Sequence, residues 1–238
     1  MPVFRKISKI LLCIAMPLFI IAVFIFFVQI SAGDENWLTH EYEKLHLSRY
    51  TGMSTETMTD AFSRLAQFMK GKTDSLDMDV EVHSQIRPMF TDREKSHMAD
   101  VRNLYSGVMK AEIIFCILAV SAAVMVFISF RRGGLKIIAK TFLYSFAGVY
   151  ALFFIIALFA AVDFDAFWKI FHMIFLDIES SVFDPAQSLM IRICPLELFR
   201  DMTARIFLRS FAVCAVLAAA SAICLKTKKR RTLAADNR

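Results

Sequence analysis

Glycine and proline are scarce in this sequence, with 7 and 5 occurrences among 238 residues. That scarcity excludes a collagen-like or low-complexity chain. The five cysteines are an odd number and no pair has zinc-ligand spacing, so we predict no disulfide and no metal site built on cysteine. The His-Glu-x-x-His, Gly-x-Ser-x-Gly and glycine-rich phosphate-binding motifs are absent too, which removes the common zinc-protease, hydrolase and nucleotide-binding classes.

Long stretches of the chain lack charge almost completely. Hydrophobic residues make up 57% of the sequence, above the roughly 45–50% of soluble domains. Four runs reach the ~20 residues that span a bilayer, and their only charged residues are Glu112 and Arg209. The runs are residues 11–30, 111–130, 141–162 and 206–225. The sequence therefore predicts an all-α membrane protein with four transmembrane helices.

Positive charge is concentrated in the short segments beside these runs. Residues 1–10, 131–140 and 226–238 hold 13 Lys and Arg with a single acid, Asp236. Short basic loops stay in the cytoplasm, so both termini are predicted to be cytoplasmic and both long loops to lie outside. The basic tail directly adjoins a span, and we interpret it as an anchor near anionic lipid, with no nucleic-acid partner.

This topology divides the chain into five segments, of which the two outer loops are predicted to be mostly helical. The segments are a cytoplasmic N-terminus and first span (1–30), the first outer loop (31–110), two spans joined by an inner turn (111–162), the second outer loop (163–205), and the last span with the basic tail (206–238).

The first outer loop contains two helix signals. Ser54 or Thr55 can cap a helix over 55–69, whose apolar residues recur at helical spacing before Gly71. Alternation within 73–90 is typical of a short strand or hairpin. Thr91 and Glu94 then form a capping box, which predicts a helix from Asp92 into the second span.

The second outer loop begins with an aromatic segment. An Asp cap and the density of Phe and Trp in residues 164–175 predict a short helix in the headgroup zone, and this stretch would suit an acyl chain. Asp184-Pro185 indicates a turn, and Pro195 indicates the start of the helix that leads into the fourth span.

All five histidines lie in the outer loops, where an inert surface role is the ordinary interpretation. His97 and His172 differ because each sits on a predicted helix beside the entrance of a span, where ionisable groups tend to be functional. Arg209 has two interpretations, a group that polarises a carbonyl or a side chain that snorkels to the interface.

Two stretches of these loops resemble a known family. They are Thr91-Asp92-Arg93-Glu94-Lys95-Ser96-His97-Met98-Ala99-Asp100-Val101, and Phe171-His172-Met173-Ile174-Phe175 followed by Asp184-Pro185. Together with the order of spans, loops and basic turn, they are similar to the lipoprotein intramolecular transacylases, four-span proteins of the bacterial plasma membrane.

The resemblance implies acyl transfer without a cofactor. The sn-2 acyl chain of a lipoprotein's diacylglyceryl-cysteine would move to the α-amino group of that cysteine, giving a lyso-form lipoprotein. The partners implied are diacylglyceryl-modified lipoproteins and membrane lipids. The family's paired histidines, one in each outer loop, correspond to His97 and His172.

Acid–base chemistry is consistent with that assignment, because imidazole exchanges protons near pH 7. Glu94 or Asp100 would orient His97, and Arg93 or Arg209 would polarise the ester carbonyl. The side chains expected to contact the acyl chains of the substrate are Trp168, Phe171 and Phe175. Because the acyl chains stay in the bilayer, we expect the substrate to arrive laterally at outer-leaflet depth.

Two interpretations of another class stay open. The chain would be a non-catalytic scaffold for another membrane enzyme, or a protein that binds a ligand through the first outer loop. A metal site built on the histidine pair is a further alternative, for which the sequence offers no third ligand at convincing spacing.

Overall fold

The computed structural model describes residues 2–176 and 183–236, and the side chains of Arg132 and of residues 228–236 lie outside that description. Most of the basic tail therefore cannot be compared with its predicted role. The elements are α1 Pro2–Ser31, α2 Glu35–Lys44, α3 Leu47–Thr51, α4 Thr55–Met69, β1 Asp79–Val82, β2 Gln85–Pro88, α5 Asp92–Phe130, α6 Gly134–Val162, α7 Phe164–Phe175, α8 Leu189–Ile193 and α9 Leu196–Asp236.

The chain forms two compact units. The first comprises Met1–Phe27, Lys110–Leu158 and Arg205–Arg238, and the second comprises Val28–Met109 and Phe159–Ala204. The helices α1, α5, α6 and α9, each of which contributes its apolar stretch to the first unit, are long and apolar enough to cross a membrane. The predicted four-span all-α architecture is thereby confirmed.

The first unit has a small core and an apolar exterior. Leu12, Ile20 and Val126 are fully buried among the helices. Large apolar side chains such as Phe154 and Val216 are more than 60% exposed. A water-soluble protein rarely exposes such continuous apolar surface, so these side chains face the hydrocarbon of the bilayer.

In the second unit, α4 shows how sequence determines a helix and its buried face. The Ser54 hydroxyl accepts a hydrogen bond from the Thr57 amide at 3.0 Å and caps the first turn. Met58, Phe62 and Leu65 follow at helical spacing and are buried. The observed helix has the predicted bounds, and Gly71, with a positive φ of 69°, follows its end.

The β1–β2 hairpin lies between α4 and α5 in the sequence. Val82 pairs with Gln85, so His83 and Ser84 form a two-residue turn, and their φ angles of 49° and 63° fit the twist of a tight hairpin. The His83 amide donates to the Gly52 carbonyl at 3.2 Å. Gly52 has a φ of 74°, and a Cβ at that position would lie 2.4 Å from the His83 ring.

Candidate active site

A buried carboxylate fixes the start of α5. Glu94 is only 1% exposed, and its Oε2 accepts from the Thr91 amide at 2.6 Å and the Thr91 hydroxyl at 2.8 Å. This is the predicted capping box. The other oxygen accepts a short hydrogen bond from the Ser188 hydroxyl, which also caps α8 by accepting from the Ile191 amide. Glu94 therefore joins the first and second outer loops.

His97 lies one helical turn after this contact. Its side chain is only 7% exposed. Its Nδ1 is buried and has no hydrogen-bond partner among the described residues. Burial lowers the pKa of His97, the neighbouring His172 lowers it further, and Asp100 partly opposes both effects. His97 is therefore a neutral imidazole at neutral pH.

His172 is held by its own helix. Asp163 caps α7 by accepting from the Ala166 amide at 2.9 Å. The Nδ1 of His172 lies 2.8 Å from the Trp168 carbonyl oxygen, and since a carbonyl only accepts, Nδ1 carries the proton and donates it. Because Nδ1 carries the proton, the lone pair of the neutral imidazole is on Nε2. The Trp168 ring in turn stacks on Phe199, with 4.4 Å between ring centroids.

The two imidazoles stand side by side. Their ring centroids are 6.2 Å apart and the ring planes differ by 17°. The ring of Phe183 meets His97 edge-on at 5.5 Å. The structure thus brings together the two histidines singled out in the sequence.

A mainly apolar cavity of about 760 Å³ surrounds this pair, and its described lining residues all belong to the second unit. Its volume is in the range of ligand-binding sites. The apolar wall includes Leu65 and Met69 of α4 and Met98 of α5. In addition to the two histidines, the described lining contains one acidic and one basic side chain, Asp165 and Lys169. These two form an ion pair of 2.5 Å.

The structure revises the expected positions of the supporting residues. Glu94 was expected to orient His97, but its carboxylate oxygens bind Thr91 and Ser188 instead. Asp100 is exposed and acts on His97 through its charge. The Arg93 guanidinium carbon lies 5.4 Å from the Phe183 ring centroid. Arg209 belongs to the first unit and is not among the described lining residues.

The expected aromatic contacts are divided in the structure. Trp168 and Phe171 line the cavity. Phe175 is 52% exposed and is absent from the described lining, although its ring lies 5.1 Å from that of Phe171.

Sequence reasoning missed three residues near the histidines: Phe183, Ser188 and Cys194. The capping signal at Ser188 was readable from the sequence, but its bond to Glu94 crosses 94 positions. Cys194 is buried and lines the cavity, although it lies outside the four apolar runs of the sequence. Burial, with a smaller contribution from the Glu94 charge, raises the pKa of Cys194 to about 12.

All five cysteines are free thiols in the structure. In the described part of the chain, no three His, Cys, Asp or Glu residues are grouped so that they could hold a metal ion.

A sequence profile described as "Lipoprotein intramolecular transacylase Lit" matches residues 10–199, which include both histidines and most of the chain. The chain belongs to the Lit family. It is an integral membrane protein of a family of acyltransferases, the lipoprotein intramolecular transacylases. No curated protein sequence matches the chain significantly.

Solved structures of the Lit protein from Bacillus cereus share this fold. One has a TM-score of 0.75 at 14% sequence identity and covers 97% of this chain and 100% of its own. A variant with one histidine replaced by alanine gives a TM-score of 0.70 at 14% identity, covering 95% and 96%. A variant with arginine there gives 0.68 at 14%, covering 95% and 94%.

Proposed function

We propose that His97 and His172 together transfer the sn-2 acyl group of a lipoprotein's diacylglyceryl-cysteine to the α-amino group of the same cysteine. The ester C–O bond breaks, a C–N bond forms, and the glycerol oxygen leaves as a hydroxyl. The stacked histidine pair in an apolar cavity carries this proposal. Because donor and acceptor sit on one molecule, the protein mainly holds them in attack range.

His172 is the general base in this scheme. Its Nδ1–H is committed to the Trp168 carbonyl, so the Nε2 lone pair accepts the proton that the attacking amine loses. The same nitrogen then returns that proton to the departing glycerol oxygen, so the protein ends the cycle in its starting state.

His97 is the electrophilic partner. The buried Nδ1 of His97 has no hydrogen-bond partner among the described residues. Buried N–H donors are left unpaired more rarely than buried acceptors, so Nδ1 is the unprotonated nitrogen and Nε2 carries the proton. That N–H donates to the ester carbonyl oxygen as negative charge develops there. The lowered pKa of His97 keeps the ring neutral, so a neutral imidazole donates this hydrogen bond.

A covalent intermediate on the protein is not part of the scheme. Cys194 lines the cavity, but its thiol, with a pKa of about 12, is almost entirely protonated at neutral pH. A protonated thiol is a poor nucleophile. The substrate amine attacks the ester directly.

Helix α7 supports lateral access for the substrate. Its polar residues Asp165, Lys169 and His172 all line the cavity. Ile170 and Ile174 lie on the opposite side and are 42% and 65% exposed. A helix with an apolar outer side lies in the surface of a bilayer. Extraction of two acyl chains into water would cost about 0.8 kcal/mol per CH₂, so the chains enter from the lipid.

The proposed location is the outer side of a bacterial plasma membrane, with both termini cytoplasmic. In intact cells, a membrane-impermeant maleimide should label a Ser75→Cys protein, whose probe lies on the exposed part of the first outer loop. Gly133→Cys should react only after permeabilisation, and a Cβ there meets nothing nearer than Phe130 at 4.0 Å.

Labelling of the wild-type protein gives the background that the five native cysteines contribute in this experiment. Ser188, although it belongs to an outer loop, is a poor probe position because it is buried against Glu94. Labelling of Gly133→Cys in intact cells would overturn the orientation.

The function itself is tested on one lipoprotein, produced in cells with and without this chain. Mass spectrometry of its N-terminal lipopeptide should show the diacylglyceryl form without the chain, and the lyso form with an N-acyl group when the chain is present. A His172→Ala variant at the same membrane level is the matched control. A diacylglyceryl lipopeptide that persists unchanged beside wild-type protein contradicts the proposal.

A further inference from the structure

We propose that Phe183, braced by Arg93, shields the histidine pair from water and thereby selects the substrate amine over water as acyl acceptor. The inference rests on the proposed function and assigns a specificity-determining role to Phe183. Hydrolysis competes with the proposed acyl transfer. The ester that the amine attacks is also open to attack by any water molecule beside the same base.

Both outcomes release the same glycerol hydroxyl. With the amine as acceptor, the ester C–O bond breaks, a C–N bond forms, and the amine proton passes through His172 to the leaving oxygen. With water as acceptor, a new C–O bond forms to the water oxygen, and a water proton takes the same route. The second reaction gives a free fatty acid and leaves the cysteine amine unmodified.

Phe183 occupies the position from which it can control this choice. Its ring lines the cavity and meets His97 edge-on at 5.5 Å. The Arg93 guanidinium also contacts this ring, at 5.4 Å from the centroid. A cation over an aromatic ring stabilises their contact by about 0.5–1 kcal/mol at exposed sites. The aromatic ring therefore contacts both the charged guanidinium and the imidazole that must stay dry.

The segment after Phe183 is held in place by hydrogen bonds. The Arg192 guanidinium donates to the Pro185 carbonyl at 2.7 Å and to the Ala186 carbonyl at 2.6 Å. Ser188 is then tied to Glu94. The ring thus has a fixed anchor on its C-terminal side and Arg93 against its face, which is the arrangement expected of a permanent shield.

Titratable and charged groups surround His97 on its own helix, on α7 and in the cavity wall. His172 faces it from α7, and Asp100 and Arg93 belong to its own helix. The described cavity wall adds the Asp165–Lys169 ion pair and the neutral thiol of Cys194, while α4 contributes only apolar residues. Burial is the largest cause of the low pKa of His97. Loss of the Phe183 ring would therefore move that pKa upwards.

The test measures how acyl groups are divided between amine and water. Purified protein in vesicles receives a diacylglyceryl lipopeptide in H₂¹⁸O, and mass spectrometry quantifies N-acyl product and ¹⁸O-labelled fatty acid. Phe183→Ala should raise the hydrolysed fraction by about tenfold, because water then reaches the site. The acidic limb of its pH–activity profile should also shift to higher pH. His97 must be neutral for activity, and in this variant it becomes protonated at a higher pH than in the wild-type protein.

Three further proteins make the result decisive. Phe183→Leu restores apolar bulk and should return the hydrolysed fraction towards the wild-type value. Arg93→Gln, a change at an exposed side chain, should raise it by about two- to threefold through loss of the cation–ring contact. Ile86→Ala, at a side chain that is 80% exposed on the hairpin, should leave it unchanged.

An unchanged division of products in both Phe183→Ala and Arg93→Gln overturns the proposal, whether or not total turnover falls. If Phe183→Ala does not fold, Arg93→Gln alone decides. Failure of the proposed function looks different, because wild-type protein would then form no N-acyl product at all.

Discussion

Replacement of His172 by alanine should lower the rate of acyl transfer by at least about 10²-fold, and replacement of His97 should have a comparable effect. In the proposed scheme, His172→Ala removes the group that accepts the proton of the attacking amine. In the same scheme, His97→Ala removes the neutral N–H that meets the developing oxyanion. The rate is measured as N-acyl lipopeptide formed per mole of purified protein. Because the two rings act on one tetrahedral intermediate, the double variant should be little slower than either single one.

The choice of control histidine follows from the backbone. His40 is exposed on α2, and His40→Ala should retain wild-type activity. His46 and His83 are poorer controls than the sequence indicated, because their φ angles of 53° and 49° are unfavourable for alanine. A normally folded His97→Ala protein with full activity would refute the proposed dyad.

Replacement of Glu94 by alanine should lower the free energy of unfolding by about 2–4 kcal/mol, since the buried Ser188 hydroxyl left without an acceptor costs about 1–3 kcal/mol and loss of the capping box at the exposed Thr91 costs about 1 kcal/mol. The three donors concerned are the Thr91 amide, the Thr91 hydroxyl and the Ser188 hydroxyl. Thermal unfolding in detergent, followed by circular dichroism, measures the loss.

Ser188→Ala isolates one part of this effect. It removes the donor to Glu94 and the cap of α8 but leaves the Thr91–Glu94 capping box intact, so its cost should be about 1–2 kcal/mol. Glu94→Gln should lie between the two, because its amide keeps one acceptor and turns a donor towards another donor. If Glu94→Ala unfolds at the wild-type temperature, Glu94 does not join the two outer loops as described.

Much of the fold was predictable because its signals are local. The four spans follow from uncharged runs, since a bilayer penalises each charge independently of the rest of the chain. The bounds of α4 and the start of α5 follow from caps that involve residues only three positions apart, Ser54 with Thr57 and Thr91 with Glu94. Such contacts form in any fold that contains the segment.

The site was less predictable because its contacts are distant in sequence. Nothing in the periodicity of α5 or α7 pairs His97 with His172, and that expectation came from the resemblance to a family. The sequence offered Glu94 or Asp100 as the residue that orients His97, and it could not show that the second oxygen of the Glu94 carboxylate binds Ser188, 94 positions away. Phe183 gave no signal at all, since one Phe among 24 is not distinctive.

The contact between Gly52 and the hairpin turn limits which residues these two positions tolerate together. A side chain at position 52 faces two independent obstacles, the left-handed backbone and the His83 ring 2.4 Å away. A smaller residue at position 83 removes the second obstacle and leaves the first. Both positions are therefore restricted by the backbone, and position 52 is restricted by the neighbouring ring as well. A library that randomises both positions would return mainly glycine, asparagine, aspartate or histidine at 83, and glycine, or asparagine at some cost in stability, at 52.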